Sequence, residues 1–122
     1  MDNTILVVED EPDLQEALSL NLQNAGYRVL RAGTVRQADA LVNATVPHMV
    51  LLDWMLPDTP GLSFARKLRC ENRTAAIPII LLTALDGKDT AERATQAGAV
   101  ALLMKPCNVD SLREEIEAAT HA

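Results

Sequence analysis

The chain has 122 residues, a length that suits one compact domain spanning 1–122 and leaves no room for a second core. It is 48% hydrophobic and 23% charged, ordinary values for a globular protein that argue against disorder. With 11 Lys and Arg against 17 Asp and Glu the formal net charge is −6, so the domain is not built to grip nucleic acid by itself.

The first apolar run is Ile5-Leu6-Val7-Val8, and it ends in Glu9-Asp10-Glu11. A helical stripe follows in Leu14, Ala17, Leu18, Leu22 and Ala25, with Pro12 in its first turn and Gly26 closing it. Arg28-Val29-Leu30 is a short second strand, flanked by Tyr27 and Arg31 as expected near a sheet edge. Val35, Ala38, Leu41 and Val42 mark a second helix. Met49-Val50-Leu51-Leu52 is a third strand ending in Asp53, and Leu62, Ala65 and Leu68 form a helix after Pro60-Gly61. Ile79-Ile80-Leu81-Leu82 ends in Thr83, and a weaker helix over about 87–97 closes at Gly98. Val100-Ala101-Leu102-Leu103 leads to Lys105 and Pro106, and Val109, Leu112, Ile116 and Ala119 make the last helix. Four of the five runs are near-continuous, which predicts strands covered on both faces. Five alternations of strand and helix predict an α/β fold with a parallel sheet and right-handed crossovers.

No apolar run approaches the roughly 18 residues of a membrane helix. Met1-Asp2-Asn3-Thr4 has neither the basic region nor the apolar stretch of a signal peptide, so a cytoplasmic location is expected. Cys70 and Cys107 lack metal-site spacing and are expected to be buried or half-buried thiols.

The polar interruptions carry the chemistry. Glu9, Asp10, Asp53, Thr83 and Lys105 all fall at carboxyl ends of strands, and in a parallel sheet those ends share one rim. The second strand contributes no comparable group, which fits a strand order 2-1-3-4-5 with that strand outside the cluster. Glu9, Asp10 and Asp53 together would repel one another unless a cation or proton intervenes, and one lysine cannot neutralise three carboxylates. A hard divalent ion such as Mg2+ can, taking one or two carboxylates plus waters and phosphate oxygens. Lys105 and the Thr83 hydroxyl could then bind two oxygens of a phosphoryl group, and the remaining carboxylate could be the nucleophile. The plainer alternative is that each aspartate only caps the helix that follows it.

These residues resemble the response-regulator receiver family of two-component signalling. The matching segments are Ile5 to Glu11, Leu51-Leu52-Asp53-Trp54-Met55-Leu56-Pro57, Pro60-Gly61, Ile79 to Ala84, Gly98-Ala99 and Lys105-Pro106. They occur in family order and spacing and cover essentially the whole chain. The resemblance implies a flavodoxin-like, doubly wound five-stranded sheet with five helices. It implies that Asp53 accepts a phosphoryl group from a sensor histidine kinase or a phosphotransfer protein. It makes Asp10 and Asp53 ligands of Mg2+, with Met55 giving a backbone carbonyl and Glu9 acting from behind or through water. Thr83 and Lys105 contact the phosphoryl oxygens, and Ala84 leaves room for them. A signalling domain with self-directed phosphotransfer and autodephosphorylation is implied, rather than an enzyme.

The segment around Trp54 is most similar to the subfamily that carries a winged-helix DNA-binding domain. That implies transcription control through a domain farther along the native chain, although a stand-alone receiver fits the same residues. The last third departs from the subfamily. Leu102 stands at the aromatic switch position, Val100-Ala101 replaces an acidic pair, and Cys107 replaces an aromatic. The isolated domain is therefore expected to be a monomer or a weak dimer.

Three rivals share parts of this pattern. A dehalogenase-type phosphohydrolase would need an acid two residues after the nucleophile, where Met55 stands. A flavodoxin-like cofactor binder would need a phosphate-cradling loop after the first strand, where Glu9-Asp10-Glu11-Pro12 is acidic. A receiver fold with a dead switch would keep the same residues.

Overall fold

The computed structural model describes residues 3–84, 88–105 and 109–120. Strands and helices alternate as β1 (Thr4–Val8), α1 (Pro12–Asn24), β2 (Arg28–Ala32), α2 (Val35–Ala44), β3 (Met49–Asp53), α3 (Gly61–Cys70), β4 (Ile79–Thr83), α4 (Lys88–Gln96), β5 (Ala101–Met104) and α5 (Val109–Thr120). The strands form one parallel sheet in the order β2-β1-β3-β4-β5, the order expected for a flavodoxin-like receiver, with β2 outside the polar cluster. Pro106 and Cys107 lie outside the described residues.

Successive side chains of a strand point to opposite faces, so each apolar run feeds two cores. Leu6, Val8, Val50, Leu52, Ile79 and Leu81 pack under α2, α3 and α4. Ile5, Val7, Met49, Leu51, Ile80 and Leu82 pack under α1 and α5. Each fully buried aliphatic side chain stabilises the fold by roughly 1.5–3 kcal/mol. Strands β1, β3 and β4 are buried throughout, whereas β2 and β5 are only partly covered. The expectation that the Val100–Leu103 run is covered on both faces is thus corrected. As the last strand in the order, β5 has one neighbour and its edge is open.

Helix ends show where the sequence acts locally. Pro12 opens α1 behind Glu11, and no side chain caps that helix, so Asp10 is not there as a cap. Thr34 Oγ1 accepts from the Gln37 N–H at 3.1 Å, and the Asp58 carboxylate accepts from the N–H groups of Val35 and Arg36 at 2.9 and 3.0 Å. The loop after β3 is thereby tied to α2. Gly98 follows α4 at φ +88°, a left-handed conformation that favours glycine. Its carbonyl accepts from Arg69 Nε at 3.0 Å and Nη2 at 2.7 Å, while Nη1 donates to the Ile77 carbonyl at 2.5 Å. Arg69 therefore clamps the end of α4 to α3 and to the entry of β4.

Cys70 ends α3 exposed, against the expectation of a covered thiol. Leu68 takes the inward position, and at 100° per residue the side chain two places on points to solvent.

Candidate functional site

The carboxyl rim of the sheet gathers the side chains of Glu9, Asp10, Asp53 and Lys105, and Thr83 ends the neighbouring strand at the same rim. The Glu9 N–H donates to the Ala32 carbonyl at 3.0 Å, which carries the β1–β2 ladder one residue past β1 and turns the Glu9 side chain into the rim. Asp53 is the last residue of β3 and Thr83 the last of β4, and both are buried. The Trp54 N–H donates to the Leu82 carbonyl at 2.8 Å, and the Lys105 N–H to the Thr83 carbonyl at 2.7 Å. The polar groups are thus set by sheet register rather than by loop conformation.

Glu9 is 0% exposed, whereas Asp10 beside it faces solvent. Lys105 Nζ lies 2.6 Å from Glu9 Oε1 and 3.2 Å from Asp53 Oδ2. The Glu9 contact is a close ion pair without hydrogen-bond alignment at that oxygen. Glu9 Oε2 accepts from the Glu11 N–H at 3.2 Å, and Asp53 Oδ1 from the Met55 N–H at 3.3 Å. Oxygens of Glu9, Asp10 and Asp53 all lie within 4.8 Å of one another.

Three carboxylates therefore meet one ammonium. Burial pushes the Glu9 carboxyl up to about 7; Lys105 opposes that shift, and the neighbouring Asp53 carboxylate adds to it. Burial penalises the Lys105 charge, but pairing with Glu9 and Asp53 outweighs it and raises the ammonium above its ordinary value. The donors are all oxygens, one carboxylate is open to solvent, and negative charge is in excess. That set fits a hard divalent cation such as Mg2+. Asp10 offers the solvent-facing oxygens, and Lys105 ties buried Glu9 to buried Asp53 beside it.

Met55 follows in the turn after Asp53 with its side chain 68% exposed. A thioether cannot transfer a proton, so the position two residues after Asp53 offers no general acid. Acidic Glu9 and Asp10 at the end of β1 would likewise repel the phosphate of a bound cofactor. Ala84 follows Thr83 and is exposed.

Gly61 is a site residue that spacing alone does not single out as one. Its N–H donates to the Trp54 carbonyl at 2.9 Å. A Cβ on Gly61 would overlap the Asp53 carbonyl oxygen and lie 3.1 Å from its carbon and 3.2 Å from Trp54 Cα. The start of α3 is pressed against the backbone of Asp53, and no side chain fits between them.

Comparison with known proteins agrees with this geometry. Residues 5–117 match the family model for the response regulator receiver domain. The phosphate regulon transcriptional regulatory protein PhoB of Pseudomonas aeruginosa is 38% identical over 115 residues, covering 94% of this chain and 50% of that protein. The DNA-binding dual master transcriptional regulator RpaA of Synechocystis is 34% identical over 114 residues, 93% of this chain and 47% of that one. The receiver domain of a Pseudomonas aeruginosa sensor histidine kinase, solved with magnesium in its active-site cleft, superposes with a TM-score of 0.90 at 30% identity over the whole of both chains. Chemotaxis protein CheY4 of Vibrio cholerae gives a TM-score of 0.93 at 25% identity over 98% of this chain and 99% of that one.

The chain belongs to the response-regulator receiver family, a signalling domain of two-component systems rather than a classical enzyme. It spans about half the length of the curated relatives it matches, which are transcriptional regulators. No helix among the described residues is long and apolar enough to cross a membrane.

Proposed function

We propose that Asp53 is the phosphoacceptor of this receiver and that phosphotransfer to it requires Mg2+. The observation that carries the reading is the sharing of Lys105 between Glu9 and Asp53, with the open Asp10 carboxylate alongside. An Asp53 carboxylate oxygen attacks the phosphorus of a phosphohistidine on a sensor kinase or phosphotransfer protein. The oxygen–phosphorus bond forms as the phosphorus–nitrogen bond breaks, and the imidazole nitrogen keeps the bonding pair. Lys105 already touches Asp53 and stays to bind a phosphoryl oxygen, while the Thr83 hydroxyl takes another from the next strand. Asp10, Asp53 and the backbone carbonyl of Met55 would hold the ion, with Glu9 behind them. When bound, Mg2+ supplies positive charge against the clustered carboxylates and the transferred oxygens. Hydrolysis of the acyl phosphate by water returns the chain to its starting state.

The whole 1–122 chain is read as this one domain, working in the cytoplasm. Its output is transcription control through a DNA-binding domain in the native product, which the half-length match to transcriptional regulators supports. By itself the domain is a monomer or a weak dimer, because Val100 and Ala101 offer no charge to pair across a two-fold axis.

Incubation with acetyl phosphate and Mg2+ should add one phosphate by intact mass. Equal labelling in the presence of a chelator would refute the requirement for metal. Metal binding has its own readout, because Trp54 is the sole tryptophan and adjoins Asp53. Asp10→Ala should raise the Mg2+ concentration that gives half of the change in its emission by about tenfold or more, since loss of an outer-shell partner alone costs that much affinity. An unaltered titration curve would remove Asp10 from the ligand set.

A further inference from the structure

We infer that Gln15 is a positioning residue for the metal site: its side-chain amide holds the peptide between Glu9 and Asp10 and so aims the Asp10 carboxylate. This role rests on the reading of Asp10 and Asp53 as Mg2+ ligands. Gln15 Nε2 donates to the Glu9 carbonyl at 2.9 Å and to the Ala32 carbonyl at 3.1 Å. Both partners are carbonyl oxygens, so only the NH2 of the amide can face them. The Ala32 carbonyl also accepts from the Glu9 N–H at 3.0 Å. One amide thus closes a ring around Glu9, with the N–H and the carbonyl of that residue both engaged.

The ring sits where the sheet stops. The β1–β2 register ends with Val8 opposite Ala32. Gly33 does not extend it, because its N–H donates to Gln37 Oε1 at 2.7 Å. The Glu9 carbonyl therefore takes its donor from α1 instead of from β2. Gln15 is placed to reach it: its N–H closes the first turn of α1 on the Glu11 carbonyl at 2.9 Å, and helical side chains lean back toward the amino end.

The Glu9 carbonyl belongs to the planar unit that also contains the Asp10 nitrogen and Cα. Holding that oxygen fixes the base from which the Asp10 side chain departs. Glu9 turns inward to Lys105, and Asp10 turns out to solvent. Among the described residues the Asp10 carboxylate has no hydrogen bond or ion pair, so its backbone alone aims it. Gln15 is the side chain that fixes that backbone.

The test is a Mg2+ titration of the whole chain read by Trp54 emission. Gln15→Met keeps the length and neutrality of the side chain and removes the donor. It should raise the Mg2+ concentration at half-change about tenfold, the loss typical of an outer-shell partner. Ser19→Ala is the control for α1 itself: it removes the 2.7 Å bond from the buried Ser19 hydroxyl to the Gln15 carbonyl and leaves the amide in place. It should titrate as wild type. In an Asp10→Ala background, Gln15→Met should shift the half-point by less than about twofold, because the carboxylate it aims is gone. A wild-type half-point for Gln15→Met would overturn the role of Gln15 while leaving the metal reading intact. So would an equal shift in Ser19→Ala, or the full tenfold cost in the Asp10→Ala background. Wild-type emission that ignores Mg2+ would overturn the metal reading and this role together.

Discussion

Gly61→Ala should destabilise the chain by roughly 1–3 kcal/mol and slow phosphate uptake by one to two orders of magnitude. The stability loss is the usual cost of overpacking a site that cannot give. What an added methyl meets here is backbone: the carbonyl of Asp53 and the Cα of Trp54. A flexible side chain could swing aside, but β3 is held by ladders to β1 and β4 on both sides. Relief must come from moving α3 outward or from displacing Asp53. The first breaks the hydrogen bond from Gly61 to the Trp54 carbonyl. The second misplaces the nucleophile, and a shift near 1 Å costs about a hundredfold in rate. Urea unfolding and the time course of acetyl phosphate labelling read the two effects separately. Wild-type values in both would show that α3 does not constrain the acceptor.

In chelator, the stability of the wild-type chain should fall as pH rises from about 4.5 to about 7, and Glu9→Gln should remove most of that fall. The folded-state value of Glu9 is about 7, against an ordinary 4.5. Between those values the folded state holds a proton that the unfolded state has released. Stability therefore declines with rising pH, from its full value below the unfolded pKa to its lowest above the folded one. The total difference is on the order of 3 kcal/mol, since each tenfold change in proton affinity is worth about 1.4 kcal/mol. Saturating Mg2+ should suppress the decline, because the cation favours the ionised carboxylates. Denaturant midpoints of wild type and Glu9→Gln across that range, with and without metal, measure it. Parallel pH profiles for the two proteins would mean that Glu9 is not the group burdened by burial.

The sequence carries some of this plainly and some not at all. Runs such as Ile79 to Leu82 are legible as strands because both faces of the sheet are covered, so every residue must be apolar. Glu9, Asp53, Thr83 and Lys105 are legible for the opposite reason: each interrupts such a run where a parallel sheet keeps its rim. The burial difference between Glu9 and Asp10 is not legible, since adjacent carboxylates look alike until the β1–β2 ladder extends to Glu9. Cys70 reads as a covered thiol, and only the helical phase set by Leu68 shows it to be exposed. Arg69 gives no periodic signal, because its carbonyl partners lie 6, 8 and 29 residues away. The pairing of Arg93 with Trp54 is equally invisible, joining two elements through a contact of one side chain with one ring. Gly61 reads as a helix-opening glycine, and its closeness to the Asp53 carbonyl is a property of the fold.

The most direct test of the central claim is chemical location of the transferred phosphate. An acyl phosphate on aspartate is reduced by borohydride to homoserine, which marks the acceptor residue permanently. The chain should be labelled with acetyl phosphate and Mg2+, reduced, digested and sequenced by mass spectrometry. Homoserine at position 53, absent when chelator replaces the metal and absent in Asp53→Asn, is the expected result. Homoserine at another position, or a phosphate that survives mild alkali on a hydroxyl side chain, would show that Asp53 is not the acceptor.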